Sequence, residues 1–148
     1  MLTPNELVLI NLILSAMLTG LIWTIQMVHY PGFLVVGTEN FLAYQQQHMR
    51  TVSYIVIPLM LSELAAAFFL LMRYPTPHSA EVYLATAMVV IIWLTTMLVS
   101  SPLHSKLAAQ GYNAQLINWL IATNWLRTAA WSTRTGILVL LAWQLIKH

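Results

Sequence analysis

The fold of this chain is decided by the segment Asn124-Trp125-Leu126-Arg127-Thr128-Ala129-Ala130-Trp131-Ser132-Thr133-Arg134, which carries two arginines inside an otherwise apolar stretch. On an α-helix, its asparagine, its second tryptophan and both arginines project within roughly 80° of one another. A charge near the centre of a bilayer costs at least ~2.5 kcal/mol. We therefore expect this face to look into the protein and to meet polar groups on other helices.

The composition indicates an integral membrane protein. Of the 148 residues, 59% are hydrophobic and 7% are charged, and the mean hydropathy is +0.75. Long apolar runs cover residues 5–29, 50–72, 80–100 and 114–146, and a spanning helix needs about 20 residues. We predict an all-α fold with a single domain over residues 1–148, a transmembrane four-helix bundle. Short interfacial helices are expected in the loops after the first and third spans.

Cysteine and charge content exclude several functions. The chain has no cysteine, which excludes disulfides, thiolate-bound metal and covalent haem attachment. The net charge of +2, without a run of Lys or Arg, predicts no nucleic-acid partner. No Lys or Arg precedes the first apolar run and no small-residue cleavage pattern closes it, so we expect it to remain as a helix.

Local signals predict where the helices begin and end. The predicted caps are Thr3 with Glu6, Thr38, Ser79 and Asn113. The segments 30–32 and 101–102 each contain a proline, so we expect the first to end a helix and the second to break one. Pro58 is predicted to kink the second span.

Glu63 is the one acidic residue well inside a predicted span, and its position along the helix matches that of one arginine. Counted at 1.5 Å per residue from a plane through Arg73 and Lys147, Glu63 lies at roughly 15 Å and Arg134 at roughly 20 Å. Arg127 lies at roughly 30 Å, too far from that carboxylate. We predict that Glu63 and Arg134 form a structural ion pair inside the membrane.

The same count brings five further polar side chains to one level near the membrane surface opposite the termini. His29 and His48 lie at roughly 37 Å, His104 and Asn124 at roughly 34 Å, and Arg127 at roughly 30 Å. Three imidazoles at one level predict either a metal site held by His29, His48 and His104 or an acid–base site. The alternative is that the three histidines are interfacial anchors. We expect Asn124 and Arg127 to polarise a substrate oxygen, and the predicted substrate-binding residues are Gln26, Tyr44 and Trp131.

A pattern of single residues along nearly the whole chain resembles a known group of proteins. The pattern consists of 28–31, Tyr44, His48, Pro58, Glu63, 102–104, 124–128, Trp131 and Arg134. It resembles an uncharacterised family of small bacterial four-helix membrane proteins and is distantly similar to the anthrone-oxygenase-like membrane proteins. The resemblance implies four spans, a bacterial inner membrane and, by analogy, an oxidation. An even number of spans puts both termini on one side of the membrane. The distribution of Lys and Arg slightly favours the cytoplasm as that side.

Two classes of function remain open from the sequence. The first is a membrane enzyme that acts on a hydrophobic small molecule, with an oxidation among its reactions and either a histidine-bound metal or no cofactor. The second is a non-catalytic subunit that binds haem, a quinone or a pigment, or an accessory chain of a larger membrane complex. Both classes place the chain in the lipid bilayer, and both allow a homo-oligomer.

Overall fold

The computed structural model describes residues 2–73 and 79–147, with Ser79 described by its backbone alone. The described residues are almost entirely helical and contain no strand. The helices are α1 (Pro4–Thr24), α2 (Tyr30–Gly32), α3 (Thr38–Arg73), α4 (Ser79–Thr95), α5 (Ser101–Gln110) and α6 (Ala114–Lys147). A π-helical segment, Ile25–His29, joins α1 to α2, and a second, Thr96–Ser100, joins α4 to α5. A 3-10 turn, Phe33–Val35, follows α2.

The starts of two helices follow the predicted caps at Thr3 and Asn113. The Thr3 hydroxyl accepts from the Glu6 backbone N–H at 3.3 Å, and the Glu6 carboxylate accepts from the Thr3 backbone N–H at 2.7 Å, which completes the capping box. Asn113 Oδ1 accepts from the Leu116 backbone N–H at 3.1 Å and caps α6. The helix expected from Thr38 runs without interruption to Arg73, with Pro58 inside it. The side chain of Ser79 lies outside the described residues.

The predicted breaks at the two prolines are wrong. Pro31 and Pro102 each stand one residue after the start of a helix that directly continues a π-helical segment. Tyr30 N–H donates to Ile25 O, and Ser101 N–H donates to Thr96 O, so each of these bonds spans five residues. A proline ring crowds the carbonyl four residues before it in an α-helix, and the wider π turn relieves that crowding. The helix expected after the third span is therefore a continuation of that span, and the helix expected from Thr38 after the first span is the first part of α3.

The long helices form a four-membered bundle. α6 packs against α1 and α4, and α3 packs against the same two helices, so α3 and α6 lie diagonally opposite each other. One apolar cluster at the terminal end includes Leu7, Leu70 and Leu138. A larger one at the other end contains Phe33 and Phe41. This arrangement confirms the predicted all-helical bundle.

The surface of the bundle suits a bilayer. Three helical stretches, Pro4–Val35, Thr38–Arg73 and Ala80–Gln110, are long and apolar enough to cross a membrane. Large apolar side chains cover the outside, for example Phe68 at 56% and Leu98 at 70% exposure. Exposed apolar area of this extent is normally covered by lipid or by a partner. The chain is a membrane protein.

Candidate functional site

A buried polar layer lies between the two apolar clusters, and Arg134 is its centre. From α6, Arg134 Nε donates to Glu63 Oε1 on α3 at 3.0 Å, Nη1 donates to Ala85 O on α4 at 2.7 Å, and Nη2 donates to Asn11 Oδ1 on α1 at 2.6 Å. One guanidinium therefore bonds to all three other long helices. We call Asn11, Glu63, Trp131 and Arg134 the arginine layer.

The other members of the arginine layer are also satisfied. Glu63 Oε2 accepts from Trp131 Nε1 at 3.0 Å, so both carboxylate oxygens are engaged. The Asn11 amide donates to Leu7 O and to Ala66 O, each at 2.9 Å. The height count paired Glu63 with Arg134, and the two side chains meet with no solvent exposure. Their helices lie diagonally opposite each other, so the pair crosses the middle of the bundle.

A cluster of imidazoles lies nearer the opposite end of the bundle. His29 Nε2 and His48 Nδ1 share a hydrogen bond of 2.6 Å, and the His48 and His104 ring centroids are 5.4 Å apart. The edge of Phe33 packs against both His29 and His48. We call His29, His48 and His104 the histidine cluster. The three histidines that the height count placed at one level thus lie together, with His48 in contact with each of the other two.

Tyr30 and Gln45 hold His104 in place. The Gln45 amide nitrogen, which can only donate, lies 2.9 Å from His104 Nδ1. This orientation leaves the Gln45 amide oxygen buried without a partner in the described chain. With the amide turned, that oxygen accepts from His104 Nδ1, and His104 Nε2 accepts from the Tyr30 hydroxyl at 2.9 Å. The two hydrogen bonds hold the ring in either tautomer.

A second chain of hydrogen bonds positions Arg127. Ile121 O accepts from the Gln26 amide at 3.2 Å, and Gln26 Oε1 accepts from the Asn124 amide at 2.7 Å. Asn124 Oδ1 in turn accepts from Arg127 Nη1 at 3.2 Å, and Ser100 Oγ accepts from the same nitrogen at 3.3 Å. Arg127 also lies over the Trp131 ring, 5.3 Å from its centroid. These contacts tie the arginine to the first π-helical segment, to the end of the second, and to the arginine layer.

A cavity of about 340 Å³ connects these groups to the outside of the bundle. Its walls are mainly α3 and the stretch from α4 to α5, with apolar side chains such as Val52, Val56 and Met60. Polar groups collect in the part lined by Tyr30, His48, Ser100, His104 and Arg127. An apolar pocket with a few convergent polar groups is the usual form of a small-molecule site.

The structure separates the predicted site residues into two groups. His48, His104 and Arg127 line the cavity. The other predicted residues stand behind these three or to the side. His29 bonds to His48, and Gln26 and Asn124 position Arg127. Trp131 bonds to Glu63, and the ring centroid of Tyr44 is 6.2 Å from that of His29.

Sequence reasoning missed three residues of the site. Tyr30 follows His29 directly, Gln45 precedes His48 by three residues, and Ser100 precedes His104 by four, so helical spacing could have found the last two. Both π-helical segments end beside the site, at His29 and at Ser100. Single π turns often occur at functional sites, but no sequence signal here predicts them.

Among the described residues, no three His or acidic side chains are placed to hold one ion as the chain stands in this structure. His29 Nε2 and His48 Nδ1 are 2.6 Å apart. Two nitrogens that share a tetrahedral ion at about 2.0–2.1 Å would stand about 3.3 Å apart. His104 has both nitrogens engaged by Gln45 and Tyr30. A hydrogen bond between two imidazoles permits proton transfer between them, whereas nitrogens this close do not fit two axial ligands of one haem.

Comparison of the chain with protein-family models, with curated proteins and with solved structures gives no match. The components of the site are a buried cation, linked imidazoles and an apolar cavity at the surface of the bundle.

Proposed function

We propose that this chain is a membrane-embedded enzyme of four spans that acts on a lipophilic substrate in the cavity between α3 and α4. The observation that carries the proposal is that one apolar cavity ends at His48, His104, Tyr30 and Arg127. Apolar walls favour a molecule that dissolves in the bilayer. The polar end offers both proton transfer and stabilisation of negative charge.

The proposal includes α6 as the fourth span. It has 34 residues, enough to cross a bilayer, and its Asn124, Arg127, Thr128 and Arg134 side chains are buried. Its outer side is apolar, with Leu126 at 55% and Leu140 at 61% exposure. Arg127 and Arg134 are both buried among the other helices. With four spans both termini lie on one side, which we propose to be the cytoplasmic side of a bacterial inner membrane, and the site lies towards the opposite surface.

The cavity offers a route for a substrate from the lipid. Ile57 on α3 and Ser101 on α5 line it and are also exposed at the surface of the bundle. Ile57 has 52% of its surface exposed. A hydrophobic molecule concentrated in the bilayer reaches the polar end between these helices without crossing water.

The chemistry that the site supports is proton transfer beside a fixed cation. His48 lines the cavity and is bonded to His29, so a proton taken from the substrate can be shared along the pair. Arg127 stabilises the negative charge that develops on a substrate oxygen, and Asn124 and Ser100 hold its guanidinium in position. Removing a proton from an activated C–H or a phenol gives an electron-rich anion, and in the oxidation version dioxygen is the electron acceptor.

A binding subunit is the second candidate, because the same cavity fits a quinone-sized ring without turnover. Its volume of about 340 Å³ lies at the small end of the range for ligand sites. The close approach of His29 and His48 disfavours the haem version of this candidate. A visible spectrum of the purified protein tests the pigment version directly.

Turnover tests the enzyme proposal. Purified protein in lipid nanodiscs is incubated in air with hydroquinones, phenols and aryl ketones of one to three rings, and the products are followed by mass spectrometry. We expect a new product that is lost, at least about 10²-fold, in His48→Ala, because an acid–base residue contributes about 10²–10⁴ in rate. Lys106→Gln, an exposed change, is the matched control.

Two results would contradict the enzyme proposal. Conversion at the same rate by wild type and His48→Ala would show that the reaction does not use the site. A panel in which compounds bind to the wild-type protein but none is converted would favour the binding subunit.

A further inference from the structure

We infer that the ligand of this site is a lipophilic organic acid bound as its anion, with its charge at Arg127. The inference deepens the proposed function and rests on it for the location of the site. It is carried by the charges and the unpaired donors of the cavity wall.

Arg127 has no counter-ion among the described residues. The chain contains four acidic side chains, all glutamates and all described. Glu63 is paired with Arg134, and Glu6, Glu39 and Glu81 stand in the first turns of other helices. Arg127 is only 5% exposed, and its hydrogen bonds go to neutral acceptors on Ser100 and Asn124. A buried charge without a partner is costly, so an incoming anion gains more here than at a paired arginine.

Two buried donors on side chains that line the cavity have no acceptor. Arg127 Nε and Trp93 Nε1 are buried without an acceptor among the described residues, and both side chains line the cavity. No acceptor of the cavity-lining side chains is left buried and unpaired in the described chain. A ligand rich in acceptors is complementary to such a wall, and a carboxylate or an ionised phenol is the strongest acceptor that an organic molecule offers.

The apolar walls indicate that the part of the ligand away from its charge is hydrophobic. Residues 48–60 of α3 contribute one wall, which is roughly 18 Å long at 1.5 Å per residue. Val52, Val56 and Met60 on this wall face Trp93 on α4, so the ligand needs a hydrophobic body of one or a few rings or a chain. The need for a hydrophobic body and the access from the bilayer exclude small hydrophilic anions. The class of ligand is therefore restricted to amphiphilic acids.

A pair of isosteric probes tests the inference. 2-Naphthoate and the neutral 2-naphthamide have nearly the same shape but differ in charge. Equilibrium dialysis against protein in nanodiscs, corrected with empty nanodiscs, gives the Kd of each. We expect naphthoate to bind at least about ten-fold more tightly than the amide, a modest value for a charge-assisted hydrogen bond at a buried cation.

Three variants locate the charge recognition. Arg127→Gln should abolish the preference for naphthoate, whereas Lys106→Gln, which removes an exposed cation, should keep it. Trp93→Phe removes one N–H and should weaken naphthoate by about three- to ten-fold. Val56→Trp fills the cavity and should weaken both probes together, which keeps the test decisive if Arg127→Gln does not fold.

The inference is overturned if the two probes bind with equal affinity, or if the preference survives in Arg127→Gln. It is separable from the proposed function. Preferential binding of naphthoate without turnover of any acid would support the anion site and contradict the enzyme proposal. Turnover of neutral compounds without a preference for charge would support the enzyme proposal and contradict the anion site.

Discussion

At the residue scale, the two buried arginines have opposite situations although they lie only seven residues apart. Arg134 is matched by Glu63 and by acceptors from two more helices, whereas Arg127 has only neutral acceptors. Their contribution to stability should differ accordingly. The burial of a charge is tolerated when its partner is present, and the removal of one partner strands the other.

We expect Glu63→Gln and Arg134→Gln each to lower the thermal stability of the detergent-solubilised protein, at a cost of about 3–5 kcal/mol, because each leaves one charge buried alone. The double variant should recover part of the loss. Thermal unfolding of the three variants gives the coupling energy. Glu81→Gln, at the first turn of another helix, is the control. Losses that simply add would mean that the pair does not act as a unit.

Arg127→Met should behave differently from Arg134→Met. Because Arg127 has no carboxylate partner, its removal strands no charge, and we expect a change of less than about 1 kcal/mol or a gain in stability. The same substitution at Arg134 leaves Glu63 alone and should cost about 3–5 kcal/mol. Parallel thermal melts compare the two. A large loss at Arg127 would indicate an anionic partner that remains bound during purification.

The sequence predicts how far along its helix each of these residues lies, but not towards which neighbour its side chain points. Counting residues along each span placed Glu63 beside Arg134 and the three histidines at one level. It could not tell which side of a helix faces the cavity. For that reason Trp131 was expected to bind substrate, although it donates to Glu63, and Tyr30 and Gln45 were not expected at the site at all.

At the element scale, the prolines show where local sequence rules are incomplete. Pro31 and Pro102 were expected to stop helices, and both are accommodated by a π turn immediately before them. The turn depends on packing at the mouth of the bundle, where Phe33, Tyr30 and His104 meet. A rule that considers only the residue and its neighbours does not include that packing.

The end of α5 gives a prediction about one glycine. Gly111 has φ +80° and ψ −155°, a region that residues with a Cβ rarely adopt. We expect Gly111→Ala to lower stability by about 1–3 kcal/mol. Gly136→Ala, inside α6 with open space around its Cβ position, should raise stability by up to about 1 kcal/mol. Thermal melts of the two variants should shift in opposite directions, and equal shifts would contradict the assignment of strain to Gly111.

At the scale of the whole molecule, the number of spans decides the topology. The chain has no cysteine, so single introduced cysteines report accessibility without background. Asn5→Cys and Lys147→Cys should react with a membrane-impermeant maleimide from the same side, and Asn40→Cys and Gln110→Cys from the other. In intact bacterial cells we expect only the second pair to be labelled. Labelling of Lys147→Cys together with Gln110→Cys would reduce the protein to three spans.

The bonds of Arg134 to three helices also constrain biosynthesis. α6 is made last, and it brings two guanidiniums that a translocon would pass into lipid only at a cost of a few kcal/mol each. The groups that receive Arg134, namely Asn11, Glu63 and the Ala85 carbonyl, belong to helices synthesised earlier. In the proposed four-span topology, we therefore expect the first three spans to gather before the fourth leaves the translocon, so that insertion of the last helix closes the bundle.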